Sequence, residues 1–305
     1  MPDRQPLPFA NAAMTFLSLL LVSFVLWTVV GMRPLMRGLT AANALQWATV
    51  ALSVVVAAIA CQLSGMVPES YASCLHYLAA TLLLTPLVDI LGARNPGHRA
   101  WPWFVVCPMI VVLQWPVISH LMSEQTTTQF EVPIPALIGF LLILIMGAGN
   151  YFGTANTAAC LFGTAGIILF VLPVTPWLSW PGHGFVLAST VCLTISALLA
   201  EGRMKSSEQC ARHVSLWLDF RDTYGLVWAR RVMDRINQFA DREKWDVVMT
   251  LGGFEPATDD AIGSNDLHNR PIEVLRWVLR RFASEEFLDQ RLAESNEDSS
   301  NVASQ

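Results

Sequence analysis

Four side chains could do chemistry inside an otherwise apolar stretch: His76, His120, His183 and Asp89. An imidazole titrates near neutral pH, ligates metal or haem, and moves protons. A carboxylate in lipid is costly, so it marks a proton or cation site unless it reaches water or a partner. Asp89 is the one acid inside an apolar block, beside Pro86 and near the block's end. Its plainer reading is an interfacial aspartate paired with Arg94 or Arg99, and closeness to the interface favours that reading. For the three histidines the plainer reading, ordinary interfacial imidazoles, is likewise favoured over a haem or metal site. No other cofactor is evident, and no His/Cys cluster of zinc spacing occurs.

These residues are carried by a hydrophobic series. Seven apolar blocks run Ala12–Val30, Asn43–Leu63, Ala72–Leu91, Pro102–Leu121, Ile134–Gly149, Asn156–Leu172 and Gly184–Ala200. A bilayer core needs about 20 apolar residues of helix. The fifth and sixth blocks are short, and their join, GAGNYFGTAN, carries no charge. Two full spans or a re-entrant pair both fit that stretch, and two spans are favoured. The first block is too long for a signal-peptide core and is followed by Arg33-Pro34, so it reads as a retained helix.

Charge orients the series. Five basic and five acidic residues cancel before residue 201, and the net charge of −5 falls wholly from residue 201 onward. Arg33 and Arg37 follow the first block, Arg94 and Arg99 the third, and Arg203 and Lys205 the seventh, whereas the alternate loops carry no Lys or Arg. Basic loops stay cytoplasmic, so the N-terminus is expected outside and the C-terminus inside. Trp101, Trp103, Trp115, Trp177 and Trp180 sit at block ends, where amphipathic rings anchor helices. The histidines then belong to the outer half and Asp89 to the inner end. Pro86 and Pro108 should bend their spans. Gly149 and Gly153 suit a tight turn better than a dimer face, and Gln114, Asn150 and Asn156 read as interhelical hydrogen-bonding residues. The cysteines read as apolar packing residues, with a Cys61–Cys74 disulfide left open.

The remainder is a water-solvated unit. Residues 1–11 and 294–305 are polar and expected to be disordered. From Ser207 to Lys244 apolar residues recur at helical steps, including Trp217, Tyr224, Trp228, Val232 and Ile236, with Gly225 loosening the middle. Trp245–Leu251 alternates like one strand, with no partner in the tail, and Gly252-Gly253 ends it. Pro271 opens a helix reaching about Ala293. The expected fold is all-α: seven transmembrane helices (12–201), N-out and C-in, plus a small, mainly helical cytosolic domain (202–293).

The stretches LVDILGARNPGHRAWPWFVV (87–106) and LWLDFRDTYGLVWARRVMDRIN (216–237) resemble an uncharacterised family of bacterial polytopic membrane proteins with a cytosolic helical tail. The resemblance implies a bacterial cytoplasmic (inner) membrane location and this architecture, and it supplies no function. Separately, PWLSWPGHG around His183 resembles proteins that handle haem on the outer membrane face, in a tryptophan pair and one histidine.

Several functions are excluded. The seventh block has no lysine, so no retinal Schiff base forms there, and no phosphate-binding glycine loop or nucleophile motif occurs. The tail's net acidity disfavours nucleic acid. The favoured function is a non-enzymatic membrane scaffold or assembly factor. Its partner would dock on Trp217, Trp228, Arg230 and Arg231, because aromatic and arginine side chains anchor interfaces; self-association stays open. The alternatives are a small-molecule permease using the Asp89/Pro86 region, and haem, metal or redox handling through His76, His120 and His183.

Overall fold

A computed structural model of the chain describes residues 9–92, 100–123, 129–178, 181–208, 213–256 and 269–289. Its membrane part is built from helices α1 (Phe9–Gly31), α2 (Ala42–Ser64), α3 (Glu69–Leu82), α4 (Thr85–Gly92), α5 (Ala100–Met122), α6 (Ile134–Gly149), α7 (Thr157–Val171) and α8 (His183–Glu208). Six stretches among the described residues are long and apolar enough to cross a membrane: Phe9–Gly31, Ala42–Ser64, Glu69–Gly92, Trp103–Met122, Thr157–Val174 and His183–Met204. The fifth expected block, Ile134–Gly149, has only 16 residues. At 1.5 Å per residue it spans about 24 Å against a core of about 30 Å.

Helix ends differ from the apolar blocks. Helix α1 starts at Phe9, inside the segment expected to be disordered, and α8 runs on to Glu208. Residues 1–8 and 290–305, the guanidiniums of Arg94 and Arg99, Trp180, and Cys210 lie outside the described residues. Cys61 and Cys74 are free thiols, not a disulfide. Outward faces carry large apolar side chains such as Phe24, Val112, Leu142 and Ile145. So much exposed hydrocarbon on helix after helix suits lipid rather than water.

The third span is broken where Pro86 lacks the amide that would serve the Leu82 carbonyl. The Thr85 hydroxyl donates to that carbonyl instead, at 2.7 Å. The closest helix packing is between α7 and α8. A Cβ at Gly166 would lie 2.9 Å from Leu193 Cγ, and one at Gly163 would lie 3.0 Å from Ser196 Oγ. Ser189 Oγ donates to Gly166 O and Ser196 Oγ to Ala159 O, each at 2.7 Å. Small residues permit this approach, and the hydroxyls then bond across it. Gly153, by contrast, lies in the turn after α6 with φ +85°. Gln114 Nε2 on α5 donates to Thr81 Oγ1 on α3 at 2.7 Å, an interhelical bond as its polarity suggested.

The C-terminal region contains α9 (His213–Glu243), strands β1 (Val247–Thr250) and β2 (Gly253–Pro256), and α10 (Asn269–Leu279). The strand expected to be alone has a partner. β1 pairs antiparallel with β2 in the register Val248↔Glu255 and Thr250↔Gly253, so Leu251-Gly252 makes the hairpin turn and Gly253 opens the second strand instead of ending the first. The other edge of β1 is covered by α9. Asn237 Nδ2 donates to Met249 O at 3.0 Å, and Met249 N donates to Asn237 Oδ1 at 2.8 Å. Helix α10 stops at Leu279, well short of Ala293, because the chain turns to bridge Leu39↔Ala283; residues 285–289 are helical again. Trp217, Phe220, Tyr224, Trp228, Phe282 and Leu288 form a core separate from that of the membrane helices.

Candidate functional site

The three histidines serve three different neighbourhoods. His76 Nε2 lies 2.6 Å from Phe170 O, and since a carbonyl only accepts, Nε2 carries the proton. Phe170 O is among the last carbonyls of α7, which have no partner within the helix. The ring also stacks on Phe170, with centroids 4.0 Å apart. His76 thus closes a helix end. His120 meets Phe130 edge-on at 5.4 Å, and Phe130 also contacts Tyr77. Phe130 and Val132 tuck the segment before α6 into the bundle: Phe130 N donates to Ser73 Oγ at 3.2 Å and Val132 N to Val174 O at 2.8 Å. His183 ties α8 to two other helices. Its Nδ1 is 2.9 Å from Thr15 Oγ1 on α1 and 3.4 Å from Gln62 Nε2 on α2, and Gln62 also donates to Pro181 O at 3.1 Å. No group of three His, Cys, Asp or Glu among the described residues is placed to hold a metal ion.

Asp89 is 2% exposed, in α4, and its Oδ1 has no hydrogen-bond partner among the described residues.

The densest polar site was not the expected one. It lies where the α6–α7 turn clasps α9. Gly225 breaks α9 with φ +78° and ψ −179°. That break turns backbone groups toward Asn150, whose Nδ2 donates to Tyr224 O at 2.9 Å and whose Oδ1 accepts from Val227 N at 2.8 Å. Leu226 N donates to Asn150 O at 2.7 Å. Around this, Tyr151 Oη donates to Thr223 O, Asn156 Nδ2 donates to Asp222 O, and Asp222 Oδ1 accepts from Ala155 N. Asn150 and Asn156, expected to join membrane helices, bond the C-terminal region instead.

Two further loops complete the attachment. Tyr224 Oη donates to Phe282 O at 2.9 Å, is 2.8 Å from Thr40 Oγ1, and accepts from Ala41 N at 3.3 Å. Burial pushes the Tyr224 phenol up to about 12, so it stays neutral and able to donate. Thr40 N donates to Phe282 O and Ser284 N to Gly38 O. Trp228 Nε1 donates to Ile90 O at the end of α4, at 3.0 Å.

Trp217 and Trp228, expected as partner anchors, are both buried within the chain, 1% and 6% exposed. Trp217 Nε1 donates to Leu251 O at 3.3 Å. Arg230 and Arg231 are exposed, with Arg231 Cζ 4.9 Å from the centre of the Trp228 ring.

Comparison with protein families, curated proteins and solved structures finds no match. The functional reading therefore rests on the geometry of this chain.

Two cavities flank the clasp. One of about 350 Å³ lies among α1, α2, α4, α7 and α8, with Pro86 but not Asp89 on its wall. The other, about 420 Å³, lies between the α1–α2 loop, the end of α8 and the C-terminal region, and includes Arg203 and Arg221. Met36, Asn156, Met204, Asp222 and Thr223 line both.

Proposed function

We propose that the chain is a non-enzymatic scaffold of a bacterial cytoplasmic membrane, with seven spans, the N-terminus outside, and a cytosolic domain that docks a protein partner. The observation that carries this reading is the attachment of the C-terminal domain at three separate points, the α1–α2 loop through Thr40, the end of α4 through Ile90 and the α6–α7 turn through Asn150. A domain held at three points keeps a fixed position over the membrane, as a platform for assembly requires. The same three points support the span count. Helix α6 begins beside Val174, at the end of the bundle away from the domain, and ends at Asn150 on the domain itself. Sixteen residues with the buried Val132 ahead of them then run from one face to the other, and α7 returns.

Labelling tests the orientation. In a chain with its six cysteines replaced, a cysteine at Met66, between α2 and α3, should react with a membrane-impermeant maleimide on intact cells. One at Trp277 should react only after permeabilisation. The opposite pattern inverts the topology.

The docking surface is the Arg235–Phe239–Trp277 group beside Arg230 and Arg231, with Phe239 half-buried and the others exposed. Arg235 Cζ is 4.9 Å from the Phe239 ring centre, and Phe239 meets Trp277 edge-on at 5.9 Å. Trp277 is 48% exposed. Tryptophan and arginine dominate interface energetics, and the charge suits an acidic partner. A photo-reactive residue replacing Trp277 should give one discrete protein adduct in cells, weakened by Arg235→Glu. The same residue replacing lipid-facing Leu142 should give none. No adduct at position 277 would argue against the platform reading.

A further inference from the structure

The two cavities, joined at the inner ends of α1 and α8, form a site that the scaffold reading does not use. Their depth follows from helix geometry. Thr15 and His183 are bonded at one end of α1 and α8, and Met36 and Met204 line the same cavities at the other. The two helices therefore run side by side in the same direction. Arg33 lies 18 residues beyond Thr15, and Arg203 lies 20 beyond His183. At 1.5 Å per residue the two arginines sit within about 3 Å of the same level.

Arg33, Arg37 and Arg203 are all exposed, and none has a carboxylate partner among the described residues. They are cations at the headgroup level, the setting that attracts anionic lipid. Arg203 lines the cavity of about 420 Å³, and the one of about 350 Å³ lies inward of it, walled at that end by Met32, Ala200 and Met204. Its walls are mostly small or apolar, with Ala48, Gly163, Leu193 and Ala197 at membrane depth, and its polar residues include Asn156, Asp222 and Thr223. An unfilled groove of this size forfeits dispersion contacts along its apolar walls, whereas an acyl chain restores them. Arginine above and hydrocarbon below match an amphiphile with a phosphate headgroup.

We propose that the chain holds one anionic phospholipid of the inner leaflet, its phosphate at Arg203 and Arg33 and one acyl chain in the cavity between α1, α2, α4, α7 and α8. The leaflet named rests on the orientation proposed above, which the maleimide experiment tests separately; the site itself does not depend on it. Because Asp222 and Thr223 of the C-terminal domain close the cytosolic end of the cavity, the lipid also touches the seam between the two domains.

The test uses the full chain purified in mild detergent and placed in nanodiscs of phosphatidylcholine, with or without phosphatidylglycerol of the same acyl chains. The phosphatidylglycerol carries a diazirine at the end of one chain. Crosslinks are expected on Gly163, Leu193 or Ala197 of the unmodified protein, and crosslinks confined to outward residues such as Leu142 overturn the proposal. Native mass spectrometry should find one phosphatidylglycerol retained per chain. Arg203→Ala, at an exposed position, should weaken retention at least about fivefold, as one arginine near a charged surface is worth about 1 kcal/mol. Ala197→Leu, which fills the cavity, should abolish chain-end crosslinking. Equal retention of phosphatidylcholine, or equal thermal stabilisation by free glycerol phosphate, would remove the lipid as the ligand.

Discussion

Replacing Gly225 by alanine is expected to release the C-terminal region from the membrane helices while leaving each folded. The backbone there, at φ +78° and ψ −179°, belongs to a region that only glycine occupies freely. Forcing another residue into it costs about 1–3 kcal/mol. A Cβ would also be driven against the Asn150 side-chain amide and its carbonyl oxygen. Moving Asn150 aside breaks its bonds to Tyr224 O and Val227 N, and leaving buried groups of that kind unpaired costs about 1–3 kcal/mol each. The total is about 3–9 kcal/mol on an attachment that depends on this clasp. Hydrogen exchange reads the result: the amides of Leu226 and Val227 should lose protection, while that of Met249, bonded to Asn237, should keep it. Asn150→Ala should shift the same two amides by a smaller amount. Unchanged protection at Leu226 and Val227 in Gly225→Ala would mean that the clasp does not hold the domain.

The clasp also shows where sequence reading stops. Long apolar runs betray membrane helices because lipid demands about 20 residues of continuous hydrocarbon, and six such stretches are present among the described residues. Asn150, however, bonds the backbone of residues more than 70 positions away. Backbone partners leave no complementary side chain to notice, so only two coincident breaks, the uncharged GAGNYFGTAN turn and Gly225, hinted at the meeting. His76 was misleading for the same reason, since its partner is the carbonyl of Phe170. The second strand, Gly253–Pro256, has four residues and a single large apolar side chain, too little for a period-two pattern. Trp217 and Trp228 were visible as a helical stripe, but a stripe does not say which body covers it. Here the covering bodies are Phe220 and Leu251 for one, and Phe282 and the end of α4 for the other.

That covering sets the second large effect. Trp217→Ala is expected to unfold the C-terminal region itself, the reverse of the Gly225 outcome. Trp217 is among the largest fully buried side chains, stacks on Phe220 with centroids 5.9 Å apart, and ties α9 to the hairpin turn through Leu251 O. Truncating a buried tryptophan costs about 3–5 kcal/mol, from lost transfer energy and the cavity left behind. A small domain has about 5–15 kcal/mol in all, so this loss takes a large share. The Met249 amide, which Gly225→Ala leaves protected, should exchange at the unfolding-limited rate in Trp217→Ala. Protease cutting should likewise spread through 216–256. The membrane helices have their own core around Tyr77, Phe140 and Phe170, so the Val132 and Val174 segment should stay protected. Trp217→Phe keeps most of the buried area and loses only the bond to Leu251 O, so it should fall between wild type and alanine. If Met249 kept its protection in Trp217→Ala, this tryptophan would not be holding the hairpin on α9, and the rigid platform would have to be anchored through α10 instead.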